Sequence, residues 1–68
     1  MTISARNKLK GKIEEVEADG VMAHVVLRVG GNLIESVITK RSADDMKLKV
    51  GDNVTAIIKS TEVMLEKQ

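Results

Sequence analysis

The sequence predicts a small all-β domain, a barrel or sheet with its elements in the order β-β-β-α-β-β. Three observations predict it. Apolar and polar residues alternate over most of the chain, as in Val21, Ala23, Val25, Leu27 and Val29, at the two-residue period of a half-buried strand. Turn signals, Ala18-Asp19-Gly20 and Gly30-Gly31-Asn32, separate the alternating runs at hairpin spacing. The 68 residues leave room for one core only, so residues 1–68 are read as a single domain.

The first strand is expected over Asn7 to Glu17, with Leu9, Gly11, Ile13 and Glu15 on one parity and Lys8, Lys10 and Lys12 on the other. Gly11 inside it marks a bulge or a close backbone approach. The second strand, Val21 to Val29, has an apolar face and a second face, Met22, His24, Val26 and Arg28, that is only half polar. Met22 and Val26 therefore point either to a subunit contact or to scattered surface apolar residues. His24 has no Cys, His or carboxylate grouped with it by spacing and reads as a surface or interface residue. The glycine pair at 30 and 31 lacks the following helix and Lys-Ser or Lys-Thr of a phosphate loop, so a turn is expected. The third strand is Leu33 to Thr39, with Ile34, Ser36 and Ile38 opposed to Leu33, Glu35 and Val37.

Ser42-Ala43-Asp44-Asp45 reads as a short helix with Ser42 as N-cap, acidic residues in its first turn, and Met46 and Leu48 packing it on a barrel mouth. The fourth strand is Asn53 to Ser60, with Val54, Ala56 and Ile58 inward. Thr61-Glu62 turns the chain into a fifth strand at Val63 to Leu65, and Glu66-Lys67-Gln68 is a polar tail.

Composition limits what such a domain can do. With no cysteine and one histidine, neither disulfides nor a structural zinc site is available. A chain of this size buries only about 60% of its unfolded surface alone, which leaves oligomerisation as the route to stability. Eleven Lys and Arg against ten Asp and Glu give a net charge of +1, too balanced for general attraction to a polyanion or an anionic membrane. Aromatic residues are absent, and with them the stacking platforms of single-strand binders. Nucleic acid is thus an unsuitable partner. The absence of a long apolar run or a signal-like start gives no membrane segment and a cytoplasmic expectation. No Ser-His-Asp spacing or metal cluster suggests an enzyme, and no cofactor is implied.

Two short clusters carry the chemistry. Ser4 and Arg6 place a hydroxyl and a guanidinium on the same side of an extended segment, and Lys59-Ser60 repeats the pairing of cation with hydroxyl at the end of an apolar strand. Alone, the first cluster reads first as a solvated tail; the second lifts it. Thr39 and Ser42 add two hydroxyls. All these groups donate hydrogen bonds, and no Asp or Glu lies within three residues of Ser4 and Arg6. A tetrahedral dianion without a proton suits such a set, since two cations neutralise it. Glu62 is expected to turn away or to form a salt bridge.

Ser4-Ala5-Arg6-Asn7-Lys8-Leu9-Lys10-Gly11 resembles the S-A-R-N-x-L-x-G opening of the molbindins, the Mop-type molybdate-binding proteins. The resemblance continues through Ser36-Val37-Ile38-Thr39 and Thr55 to Met64, and covers nearly the whole chain. It implies a five-stranded OB-type barrel and a single Mop domain. It also implies a hexamer, arranged as a trimer of dimers, that binds molybdate, and tungstate as its analogue, between subunits. Residue for residue it implies that Ser4, Ala5 through its backbone N–H, Arg6, Lys59 and Ser60 come from one subunit, and Thr39 and Ser42 from a neighbour. Molybdenum storage or homeostasis would be the role. The alternative is a non-enzymatic interaction or regulatory barrel without a specific oxyanion site.

Overall fold

A computed structural model describes residues 4–68. Four strands, β1 (Asn7–Asp19), β2 (Met22–Val29), β3 (Asn32–Thr39) and β4 (Asn53–Ile58), form one antiparallel sheet in the order β3-β2-β1-β4. A short helix, α1 (Lys40–Asp45), follows β3, and a 3-10 turn at Ser60–Glu62 follows β4. β1 is the spine: its first half pairs with β4, and its second half with β2.

Several expected boundaries move, each for a local reason. Ala18 and Asp19 belong to β1 because Asp19 pairs with Met22, which leaves Gly20 and Val21 as a two-residue hairpin loop. Gly20 adopts φ +65°, a left-handed conformation that costs glycine nothing, and Val21 is 79% exposed rather than inward. Gly11 is the close approach: a Cβ there would lie 2.5 Å from the carbonyl oxygen of Arg28. The bulge comes later, between Ile13 and Glu15, where β1 has one residue more than β2. It reverses the parity of the strand, so Ile13 and Val16 face inward and Glu15 faces out, against the expected alternation. Glu14, the extra residue, accepts from Arg28, whose Nη2 donates across 3.3 Å. That bond, more than charge alone, holds the Glu14 carboxyl below its usual range and raises Arg28.

The helix also starts earlier than expected. Its N-cap is Thr39, in extended conformation, whose Oγ1 accepts from the backbone N–H of Ser42 at 3.1 Å. Asp44 and Asp45 therefore close the helix instead of opening it, and Lys40 offsets Asp44 through a 2.9 Å ion pair. Ala43 is the helix residue that is buried; Leu48 is half-buried and Met46 is exposed. Leu48 N–H donates to Ala43 and Lys47 N–H to Asp44, a Schellman ending that puts Lys47 at φ +53°. Beyond it, Asp52 accepts from the backbone and the ammonium of Lys49, and the side-chain bond chiefly lowers its pKa.

Ala5, Ile13, Ala23, Val25, Leu27 and Ala43 form the buried core along β1 and β2. The inward residues of the edge strands, Ile34, Ser36 and Ile38 on β3 and Val54, Ala56 and Ile58 on β4, are only half-buried. The sheet is a half-barrel, open between its two edges. The expected fifth strand does not form: β4 ends at Ile58, and past the 3-10 turn Met64 and Leu65 are 93% and 95% exposed. A strand needs a partner, and among the described residues none pairs with Val63 to Leu65.

Candidate functional site

The β1–β4 register decides where the two clusters fall. Asn7 pairs with Ile58 in the last rung of the β1–β4 ladder, so Arg6 and Lys59 are the residues just past that rung on the two segments, and Ser60 opens the 3-10 turn. Ala5 is buried, which seats the segment against the core and displaces the reading of a solvated tail. Ser4, Lys59, Ser60 and Thr61 line a shallow pocket of about 240 Å³. Two cations thus lie just past the same end of the ladder, Lys59 in the pocket lining and Arg6 outside it, and both are placed to favour an anion at this end of the sheet. No carboxylate lines this pocket, and Glu62 is not part of it.

Thr61 is a site residue that the sequence reading took only for a turn. The signal was present in Ser60-Thr61, two adjacent hydroxyls following a lysine. The 3-10 turn supplies the reason they converge: it begins at Ser60, directly after extended Lys59, and so keeps both hydroxyl residues at the mouth of the strand.

Thr39 and Ser42 lie elsewhere. Thr39 pairs with Met22, which pairs with Asp19, so it stands at the far end of the sheet from Arg6. The two ends are separated by the length of β1, 13 residues, in a molecule 35 Å in its longest dimension. Thr39 donates to Ser42 Oγ at 2.9 Å, which leaves the Ser42 hydroxyl proton free to point outward. Thr39 also lines a second pocket, of about 500 Å³, beside Val21, Lys40, Arg41 and Asp44. One chain therefore carries two donor clusters at opposite ends and does not join them. His24 sits on the outer face of β2, bonded to Glu35 across 2.6 Å, with Glu17 as its cross-strand neighbour.

The chain matches the TOBE domain family over residues 3–65. Molybdenum-pterin-binding protein 3 of Clostridium pasteurianum is 48% identical over 66 residues, which are 96% of this chain and 97% of that one. This chain belongs to the Mop-type molybdenum-pterin- and molybdate-binding proteins. Among solved structures, a molybdate-binding protein from Sporomusa ovata superposes with a TM-score of 0.94 at 40% identity, covering 98% of this chain and all of that one. The cytoplasmic molybdate-binding protein ModG, in a form with molybdate bound, superposes with a TM-score of 0.83 at 36% identity over 88% of this chain and 43% of its own. Membership in the Mop family agrees with the expectation of a binding protein that is not an enzyme. Among the described residues no helix is long and apolar enough to cross a membrane.

Proposed function

We propose that this Mop protein binds molybdate, and tungstate as its analogue, at sites shared between subunits of a small cytoplasmic homo-oligomer, for molybdenum storage or homeostasis. The observation that carries the reading is the pocket lined by Lys59 and the hydroxyls of Ser4, Ser60 and Thr61, with no carboxylate in the lining and Arg6 just past the last rung of the adjoining ladder. Molybdate carries two charges and no proton at neutral pH, so it only accepts. Phosphate keeps a proton that would face another donor. The Ala5 backbone N–H, in the segment seated by burial, is a further donor.

Thr39 and Ser42 of a neighbouring subunit complete the shell in this reading, because one chain holds them too far away. A hexamer built as a trimer of dimers would supply such neighbours. Assembly also accounts for the open half-barrel: the exposed segment Val63 to Leu65 is covered in the oligomer, which completes a five-stranded barrel that one chain leaves unfinished. The test is a melting series at matched ionic strength with molybdate, tungstate, sulfate and phosphate, paired with light scattering. At a free concentration of 100 times the dissociation constant each shared site adds about 2.7 kcal/mol to the assembled state. Molybdate and tungstate should stabilise most, sulfate less because the smaller ion does not span all donors, and phosphate least. Equal stabilisation by phosphate, or stabilisation without a shift in the subunit equilibrium, would refute it.

A further inference from the structure

The outer face of β1 carries charge that folding does not call for. Lys8, Lys10 and Lys12 recur at every second residue of the half that pairs with β4, where they stand opposite Ile57, Thr55 and Asn53. All three are exposed, and successive members are about 7 Å apart along the strand. None of them takes part in an ion pair among the described residues. No carboxylate faces them from β4, whose residues are all uncharged. On the β2 side Lys12 pairs with Arg28, and the nearby Glu14 is already held by that guanidinium. Like charges recurring on one face repel, so the strand bears a cost here that no neighbour offsets.

The column also has a direction. Lys8 stands opposite Ile57, two residues before Lys59 of the oxyanion pocket, and it follows Arg6 by two residues; Lys12 is at the other end, beside the bulge. Beyond the bulge the same strand is acidic, with Glu15, Glu17 and Asp19 exposed. Charge along β1 therefore changes sign once, and the positive half ends at the pocket.

We infer that Lys8, Lys10 and Lys12 are steering residues, a column of unpaired ammonium groups that draws a free oxyanion to the Arg6 and Lys59 end without touching it once bound. The inference rests on the oxyanion reading and concerns how the ion arrives. A net charge of +1 gives no general attraction, so the local field of the column supplies it. A dianion feels that field twice as strongly as a monovalent anion, which enriches the ligand over singly charged competitors. Salt separates steering from contact. The field reaches along the column at 0.01 M salt, where the Debye length is about 30 Å, and is screened at 1 M, where it is about 3 Å. Hydrogen-bonded charges, as Arg6 and Lys59 are in that reading, are screened much less.

The experiment uses the full-length chain carrying Lys8→Gln, Lys10→Gln and Lys12→Gln singly and combined, and Lys8→Arg, Lys10→Arg and Lys12→Arg combined, with circular dichroism and sedimentation to follow fold and assembly. Titration calorimetry gives the molybdate Kd at ionic strengths of about 0.01 M and about 1 M. Exchange of labelled for unlabelled molybdate gives the dissociation rate. The triple Gln variant should bind about five- to tenfold more weakly at low salt and equally at high salt, its dissociation rate unchanged within about twofold. The triple Arg variant should match the unsubstituted chain. Single Gln variants should lose affinity at low salt in the order Lys8, Lys10, Lys12, most nearest the pocket, and this gradient decides even where the triple variant assembles differently. A loss that persists at high salt or appears in the dissociation rate would make the lysines contacts and overturn the steering, as would unchanged low-salt binding by the triple Gln variant. Both results leave the oxyanion reading standing, whereas no saturable molybdate binding by the unsubstituted chain sinks both.

Discussion

Replacing Arg6 or Lys59 by alanine should move binding and stability in opposite directions. In the free protein the two cations lie just past the last rung of the β1–β4 ladder, and like charges held near each other at a ladder's end destabilise it by at most a few tenths of a kcal/mol. Either substitution removes that repulsion, so the ligand-free protein should melt at the same temperature or slightly higher. With molybdate bound, the same substitution removes a charge-assisted hydrogen bond to a dianion, worth about 2 kcal/mol, or roughly thirtyfold in the dissociation constant. Isothermal titration of molybdate at fixed ionic strength measures the binding side, and calorimetric melting of the free protein measures the other. Lys67→Ala, in the exposed tail, is the control and should change neither. Equal small losses of affinity from all three variants would mean that the anion feels only a diffuse field. A marked loss of stability in the ligand-free Arg6→Ala protein would mean that Arg6 is a structural residue.

Three further outcomes follow from the scaffold. Gly11→Ala should destabilise the fold by about 1–3 kcal/mol in denaturant titration, because a Cβ would meet backbone at Arg28 rather than a side chain that can swing away. Lys47→Gly should stabilise it by about 1 kcal/mol, since Lys47 holds the left-handed position of the Schellman ending that glycine takes without strain; an unchanged melting curve would argue against strain there. The depressed carboxyls of Glu14 and Asp52 contribute stability that is fully present above their ordinary titration range and is lost as pH falls through their lowered values. Glu14→Gln should therefore flatten the fall in melting temperature on the acid side while leaving its shape near neutrality unchanged.

Alternation made the four strands legible, because a half-buried strand writes its inner face into the sequence at every second residue. It also carried the error in β1. A strict period of two assigned Glu15 to the apolar side, whereas Ile13 followed by Val16 and Ala18 is a change of parity, and a change of parity is how a bulge appears in sequence. The helix start was ambiguous because Thr39 and Ser42 are both good caps three residues apart. The backbone resolves this by letting Thr39 cap while Ser42 supplies the capped N–H. The fifth strand was readable as an apolar segment but not as a strand, since pairing depends on a partner that local pattern does not specify. Ser4, Arg6, Lys59 and Ser60 could be grouped from residue type alone. That Ser4, Lys59 and Ser60 meet around one pocket was legible only in the structure, because it depends on the 3-10 turn after β4.

β1 holds the two donor clusters apart at its ends, so in the proposed oligomer it is a neighbouring copy that would bring them together. The same length gives the distance a purpose. A core of six buried residues among those described confers little stability on its own, and much of the remaining apolar surface lies on the outer face, on the half-buried inner side of the sheet edges and in Val63 to Leu65. Each is a surface that another copy can cover. If assembly is what completes the core, a ligand that bridges subunits acts on folding and on binding through one equilibrium. Oxyanion capture then requires no moving lid or hinge: the donors at each end of the chain are already fixed by the ladder and by the Thr39 cap, and subunit association sets their separation. Selectivity for a larger tetrahedral dianion over a smaller one would follow from that separation rather than from the chemistry of any single side chain.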